Sequence, residues 1–181
     1  EIDLSKRSFM HATVMAQSAN SWFAEAMAQL NVSYALLLDR DYDAARTAAA
    51  TALSICRAVK CERLIRECQI CFAWIERELG NFSASRQWLA NLYNSEPTHP
   101  RLKWHIVQQL AYLLFEEERY SEGLHYLGAL HKHQADHGFT FDVRLESQRD
   151  QYIVKAETVI GVARTRSGLR RGEQTTLDEL W

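Results

Sequence analysis

The chain has 181 residues, of which 47% are hydrophobic and 24% are charged, and its formal net charge is -2. This length suits one domain with a sizeable core, and the charge excludes a general electrostatic footprint for nucleic acid. Only seven glycines and two prolines occur, too few for the frequent turns of a sheet, so the composition predicts an all-α protein. The sequence contains neither a membrane-spanning apolar run nor a signal peptide, which predicts a cytoplasmic protein with no membrane partner.

The first predicted element is a helix over residues 3–19, and a helical hairpin over residues 22–60 follows it. The second helix of this hairpin begins near Tyr42 and is rich in alanine, the smallest side chain that favours a helix. Alanine lets this helix approach neighbours on both sides, so the segment is predicted to lie between other helices.

Four cysteines follow within a short stretch: Cys56, Cys61, Cys68 and Cys71. Structural zinc sites commonly use paired C-x-x-C loops, whereas here only Cys68 and Cys71 have that spacing, and they fall within a predicted helix. Free thiols in a reducing compartment are therefore expected, and no metal or other cofactor is predicted.

Two further hairpins are predicted over residues 62–96 and 101–137. The three hairpins align on the aromatic residue that begins each second helix, and these aromatics are 40 and 38 residues apart: Tyr42, Phe82 and Tyr120. Three residues later stands a small residue in each case: Ala45, Ser85 and Gly123. The first helices have a small residue nine positions before the aromatic: Ser33, Ala73 and Ala111. These positions predict two closely approaching helices in each hairpin, and stacked hairpins can then share a core.

The third hairpin ends in a histidine-rich segment that contains His131, His133 and His137, with His125 six residues before His131. No H-E-x-x-H pattern accompanies these histidines, and imidazoles near the end of a helix interact favourably with its dipole. The segment therefore predicts the end of a helix at Gly138 rather than a metal site.

A long C-terminal capping helix is predicted over residues 142–166, with one inward apolar face formed by Ile153, Ala156, Ile160 and Ala163. Residues 168–181 are predicted to be a tail or linker, which leaves a single domain over 1–167. A cluster of arginines near this boundary is typical of a solvated helix end, and nucleic acid is an unexpected partner for this domain: Arg164, Arg166, Arg170 and Arg171. Because the chain begins at Glu1 without methionine, we expect it to be part of a larger protein.

The aligned positions resemble the tetratricopeptide repeat (TPR) over roughly residues 22–137. That family places a small residue on the first helix, an aromatic at the start of the second helix, and a small residue three positions later. The spacing here exceeds the family's period of about 34 residues, and the family's tryptophan and glycine on the first helix are missing. The resemblance implies a right-handed α-solenoid of about three hairpins, with an extra N-terminal helix and the C-terminal capping helix.

In this family the first helices line a concave groove in which peptides bind. The positions that the resemblance assigns to this groove combine aromatic, amide and charged side chains: Asn31, Tyr34, Trp74, Arg77, His105, Gln108, Gln109 and Tyr112. Such side chains are typical of peptide anchoring. The rings of Tyr34, Trp74 and Tyr112 would also suit the interior of a tightly curled solenoid, so groove and core both stay open here.

The sequence contains no hydrolase, P-loop or dinucleotide-binding motif, so neither enzymatic activity nor a catalytic residue is predicted. The resemblance implies a protein–protein interaction module, as a regulatory or scaffold domain of a larger signalling or transcription-related protein of bacterial type. Two alternatives stay open. One is a sensor domain that binds a small ligand or signalling peptide inside the superhelix, and the other is a self-association module that forms a homodimer through its end helices.

Overall fold

The computed structural model describes residues 21–94, 100–138 and 143–180, together with residues 11, 12, 14, 15 and 18, while the side chains of 143–145 lie outside the description. These described residues form helices and turns without a strand, which confirms the all-α class. The helix predicted over 3–19 lies largely outside them, although the five described positions within it are helical. None of the described helices is long and apolar enough to cross a membrane.

The chain divides into two compact units, residues 1–92 and 93–181, and the single domain over 1–167 stays a prediction. The first unit contains α1 (Trp22–Leu38), α2 (Tyr42–Ala58), α3 (Glu62–Glu78) and most of α4 (Phe82–Tyr93). The first three helices are each 17 residues long, and a three-residue turn follows each one, so successive helices begin 20 residues apart. Helix α2 packs against both α1 and α3. This consecutive packing is consistent with an α-solenoid.

The turns between these helices share one backbone conformation. In the turn after α3, Gly80 has a left-handed φ of 76°, and the backbone amide of Asn81 donates to the Glu76 carbonyl at 2.8 Å. The same left-handed φ occurs at three residues with side chains: Arg40, Lys60 and Glu118. At the start of α2, the Asp41 carboxylate accepts a hydrogen bond from the Ala44 backbone amide at 3.3 Å and so caps the helix N-terminus.

The small residues predicted at the helix crossings lie at direct contacts within each hairpin. The Ser33 hydroxyl donates to the Ala45 carbonyl at 2.7 Å. In the next hairpin the serine is on the opposite helix, and the Ser85 hydroxyl donates to the α3 carbonyl of Ala73 at 2.8 Å. In the second unit a Cβ at Gly123 would lie only 2.8 Å from the Phe115 ring. Small residues at these positions therefore allow the close approach that the sequence predicts.

The second unit contains α5 (Pro100–Glu116), α6 (Tyr120–His137), α7 (Val143–Ile160) and α8 (Val162–Gly172). Its core joins residues of α5, α6 and α7 to a residue beyond α8: Phe115, Leu124, Ala156 and Leu177 are members. Helix α6 ends as predicted at Gly138, which has a left-handed φ of 66°.

Two C-terminal predictions are wrong. The single capping helix predicted over 142–166 is two helices, because Gly161 adopts a φ of 86° between α7 and α8. This break changes the helical register, so Ala163 is exposed whereas Ala156 is fully buried. The segment predicted as a tail from residue 168 is helical to Gly172, and beyond it Leu177 is 3% exposed in the core.

Glycines bring α8 against α6. A Cβ at Gly128 would clash with the Leu169 carbonyl and would lie 2.9 Å from the Gly172 Cα. A Cβ at Gly172 would clash in turn with the His125 carbonyl. Because backbone meets backbone at this contact, neither helix can carry a side chain there without moving apart.

Candidate functional site

The Glu78 carboxylate in the first unit accepts two hydrogen bonds from neighbouring side chains. The Trp74 Nε1 donates to Glu78 Oε1 at 3.0 Å, and an Arg77 terminal nitrogen donates to the same oxygen at 2.6 Å. Tyr42, at the start of α2, lies close enough to Glu78 for the charge of this carboxylate to act on its hydroxyl. With Tyr34, which contacts the Trp74 ring, these residues form what we call the aromatic cluster.

Local helix geometry explains how the cluster is assembled. Trp74 and Glu78 are four residues apart on α3, so their side chains share one face of the helix. Tyr34 belongs to α1, and its ring centroid lies 6.0 Å from that of Trp74 at an interplanar angle of 42°. Three helices therefore contribute to one small arrangement of rings and charges.

The electrostatics of the cluster follow from its burial. Arg77 is only 3% exposed, and a buried guanidinium requires a nearby anion, which Glu78 provides. Burial, and next the negative charge of Glu78, raise the pKa of Tyr42. Two side chains of α3 thus donate to the carboxylate, and a substitution that removes it would take away an ion-pair partner of the buried arginine.

The predicted site residues of the first unit differ in accessibility. Asn31 and Tyr34 on α1 are half-buried, so part of each is open to solvent, whereas Trp74 and Arg77 on α3 are buried. Glu78 belongs to the same arrangement, and its spacing of four from Trp74 is the sequence signal for the contact between them. The accessible members of the cluster are therefore Tyr34 on α1, Tyr42 on α2 and Glu78 on α3.

The predicted site residues of the second unit are mostly internal. Tyr112 is 1% exposed, because its ring stacks on Tyr152 of α7 at a centroid distance of 4.9 Å. The assignment of Tyr112 to a partner-binding groove is therefore corrected, and this residue is core. Gln108 and Gln109 are buried as well, and the Gln108 amide donates to the Tyr112 hydroxyl at 3.3 Å.

His105 is the half-buried member of this second set. Burial, and next the positive charge of Arg101, lower the pKa of His105 to about 4. Its ring lies edge-on to Trp104 at a centroid distance of 5.3 Å. The imidazole is therefore neutral at pH 7, and it can act in the folded protein as a hydrogen-bonding group but not as a cation.

A cavity of about 360 Å³ lies in the second unit between the start of α5, the end of α6 and residues 175–178. Two ion pairs border it: Lys103 with Asp178 and Lys132 with Asp136 at 3.0 Å. His133 also lines the cavity, and its pKa is lowered first by burial and then by the neighbouring His137. The cavity has a size that suits small ligands, with positive and negative groups in balance.

The cysteines are free thiols, and all but the half-buried Cys61 are buried. The Cys71 sulfur lies 3.0 Å from the Ser33 hydroxyl at the crossing of the first hairpin, and burial raises the pKa of Cys71 to about 12. A buried thiol of this kind is chemically inert. Within the described part of the chain, no group of three His, Cys, Asp or Glu side chains is placed to hold a metal ion.

Comparisons with protein-family models, with curated proteins and with solved structures find no match for this chain. The resemblance to the TPR family stays a proposal, and the function has to be argued from the geometry.

Proposed function

We propose that this chain is a protein–protein interaction module, a right-handed α-solenoid of about three TPR-like hairpins. It serves as a regulatory or scaffold domain and holds a peptide or helix of a partner protein. The regular helix step and the small residues at the crossings of the hairpins support the solenoid part of this proposal. Stacked helical hairpins commonly present extended binding surfaces.

The observation that carries the binding part is the convergence of Trp74 and Arg77 on the Glu78 carboxylate beside the half-buried Tyr34. Hydrogen bonds and packing fix these side chains before any partner arrives, which reduces the entropy lost on binding. The exposed part of the half-buried Tyr34 ring provides an apolar contact, while its hydroxyl oxygen is buried. Asn31 is three residues away on the same face of α1, where its amide can bind the backbone of an incoming peptide.

The test is a selection of random peptides on the wild-type protein, followed by calorimetry of the selected peptides with variants. We expect Tyr34→Ala to weaken their binding at least tenfold, a loss of about 1.4 kcal/mol, because a ring contact at the centre of an interface is lost. Trp22→Ala is the matched control, since Trp22 is also an aromatic residue of α1 and is 42% exposed. Equal affinity for Tyr34→Ala and the wild type would contradict the proposed site.

A second candidate function, the small-ligand sensor, is favoured by the cavity beside Lys103 and Lys132. Its charged groups would suit a zwitterionic ligand such as a free amino acid. A screen of amino acids for a rise in the melting temperature tests this candidate, with Lys132→Ala as the variant that should lose the rise. The homodimer through the end helices stays a prediction that sedimentation can test.

A further inference from the structure

Helix α8 presents a strongly basic surface. Its eleven residues contain four arginines and no acidic residue, and all four arginines are exposed: Arg164, Arg166, Arg170 and Arg171. We call these four residues the arginine strip. Among the described residues, no carboxylate forms an ion pair with any member of the strip, in contrast to Arg46, Arg77 and Arg119, which are each paired.

The backbone that carries the strip is fixed in place. The opposite face of α8 is buried through Thr165, which is 0% exposed, and through Gly168 and Gly172. The glycine contact with α6 leaves no space between the two helices. The arginines therefore project from a rigid helix, and a binding partner does not have to order the backbone first.

The positions along the helix spread the charge over the solvent-facing side. Arg166 and Arg170 are four residues apart, which puts them about 6 Å apart along the axis on one edge. Arg164 and Arg171 are seven residues apart, about 10 Å along the axis, on the other edge. An elongated partner can therefore contact charges from both pairs at once.

The chemistry of the surface distinguishes between anionic partners. The strip contains no aromatic side chain on which a nucleic acid base could stack, and the bulky exposed apolar residue of α8 is a valine, Val162, rather than the Trp, Phe or Leu of membrane-binding helices. A chain with net charge -2 also lacks the overall attraction that draws proteins to polyanions. Guanidinium groups bind carboxylates through paired hydrogen bonds.

We propose that the arginine strip of α8 is a docking surface for a glutamate- and aspartate-rich segment of a partner protein. This surface lies in the second unit and does not depend on the aromatic cluster of the first unit. Variants of the two surfaces therefore separate the failure of this proposal from the failure of the proposed function.

The experiment measures binding of a short fluorescein-labelled peptide that alternates glutamate with serine, by fluorescence anisotropy, at about 50 mM and about 150 mM salt. We expect Arg166→Glu/Arg170→Glu to weaken binding at least tenfold, because two charge-assisted contacts become repulsive. The matched control is Arg57→Glu/Arg63→Glu, which changes the net charge equally at two exposed arginines of the first unit. This control should change the affinity less than about threefold, because it changes the net charge and leaves the four arginines of the strip intact.

A conservative variant tests the role of the guanidinium groups. Replacing all four arginines of the strip by lysine keeps the charge but removes the paired hydrogen bonds, so weaker binding than in the wild type is expected. Circular dichroism verifies that each variant is folded, which exposed positions should permit. The proposal is overturned if the wild type does not bind the peptide, if both double variants lose affinity equally, or if a DNA oligonucleotide of the same charge binds more tightly.

Discussion

Replacing Gly172 by alanine is the most direct test of how α8 is held. In an isolated helix this change is favourable by about 1 kcal/mol, because alanine has a higher helix propensity than glycine. In the folded protein the added Cβ would clash with the His125 carbonyl on α6 and lie 2.8 Å from the Gly128 Cα. Helix propensity and the steric clash predict changes of opposite sign in the free energy of unfolding, so the measured sign shows which effect is larger.

The expected size of the effect follows from what surrounds the added carbon. Its closest neighbours are backbone atoms, which cannot rotate away as the end of a side chain can. Overpacking in a well-packed core costs typically about 1–3 kcal/mol, and the upper end applies where backbones meet. After the gain in helix propensity is subtracted, we expect the free energy of unfolding to fall by about 2 kcal/mol.

Urea denaturation measures this free energy, and hydrogen exchange of the α8 amides shows whether the helix itself becomes less protected. Ser167→Ala is the control, since residue 167 is exposed on the same helix and alanine there changes propensity without a clash. A Gly172→Ala protein as stable as the wild type, or more stable, would refute the glycine contact. Greater exchange confined to α8 would show that the helix detaches locally.

Three further predictions concern single residues of the two units. The pKa of His105, lowered by burial to about 4 from an ordinary value of 6.5, means that the unfolded chain binds a proton first as the pH falls. The free energy of unfolding should therefore decrease as the pH falls from 6.5 to 4, by about 2.5 kcal/mol at pH 4.5. Urea titrations above pH 6.5 and at pH 4.5 measure this decrease, and His105→Gln should abolish the part that is due to His105. Gly80→Ala should lower the free energy of unfolding by about 1 kcal/mol, because residue 80 has a left-handed φ, whereas Lys60→Gly should not lower it. If thermal melts showed the same loss of stability for both variants, the two turns would not share one backbone conformation. Ser85→Ala should cost about 1 kcal/mol through the lost hydrogen bond to the α3 carbonyl, and Thr51→Ala, which removes an exposed hydroxyl bond within α2, should cost less in the same assay.

The hairpins could be predicted because their signal is local and repeated. The aromatic residues at Tyr42, Phe82 and Tyr120 are the first residues of three helices. The small residues at the crossings are visible in the sequence because each hairpin needs one at the same position. Short-range spacing therefore determines both the helix starts and the contacts within each hairpin.

The C-terminal helices could not be predicted in the same way. The buried face of α8 consists of Thr165, Gly168 and Gly172, and small residues produce no hydrophobic periodicity that would reveal a packed helix. The break at Gly161 is also hidden, since the apolar spacing of α7 continues into Ala163 in the sequence. The sequence alone does not distinguish a glycine that is tolerated within a helix from a glycine that ends a helix, because the difference lies in the backbone angle φ.

The candidate site was predicted only in part, because equivalent repeat positions have different neighbours. Tyr34 is half-buried, whereas Tyr112 is core because Tyr152 of α7 stacks on it, and α7 is outside the repeat. Glu76 occupies a position where the other hairpins have leucine, and it pairs with Arg46 at 2.7 Å. The spacing of residues within one segment does not predict such contacts between different helices.

The step of 20 residues between the starts of α1, α2, α3 and α4 also determines which changes of chain length this array of helices can absorb. An insertion of one residue within a helix rotates every later side chain by about 100° and separates it from its neighbours. An insertion of two whole steps, which is two helices with their turns, instead restores both the direction of the chain and the contacts between facing side chains. The turns suit such joining points, because one backbone conformation there is adopted by arginine, lysine, glycine and glutamate alike. Duplication of a two-helix block is therefore the route by which an array of this kind can lengthen without losing its contacts.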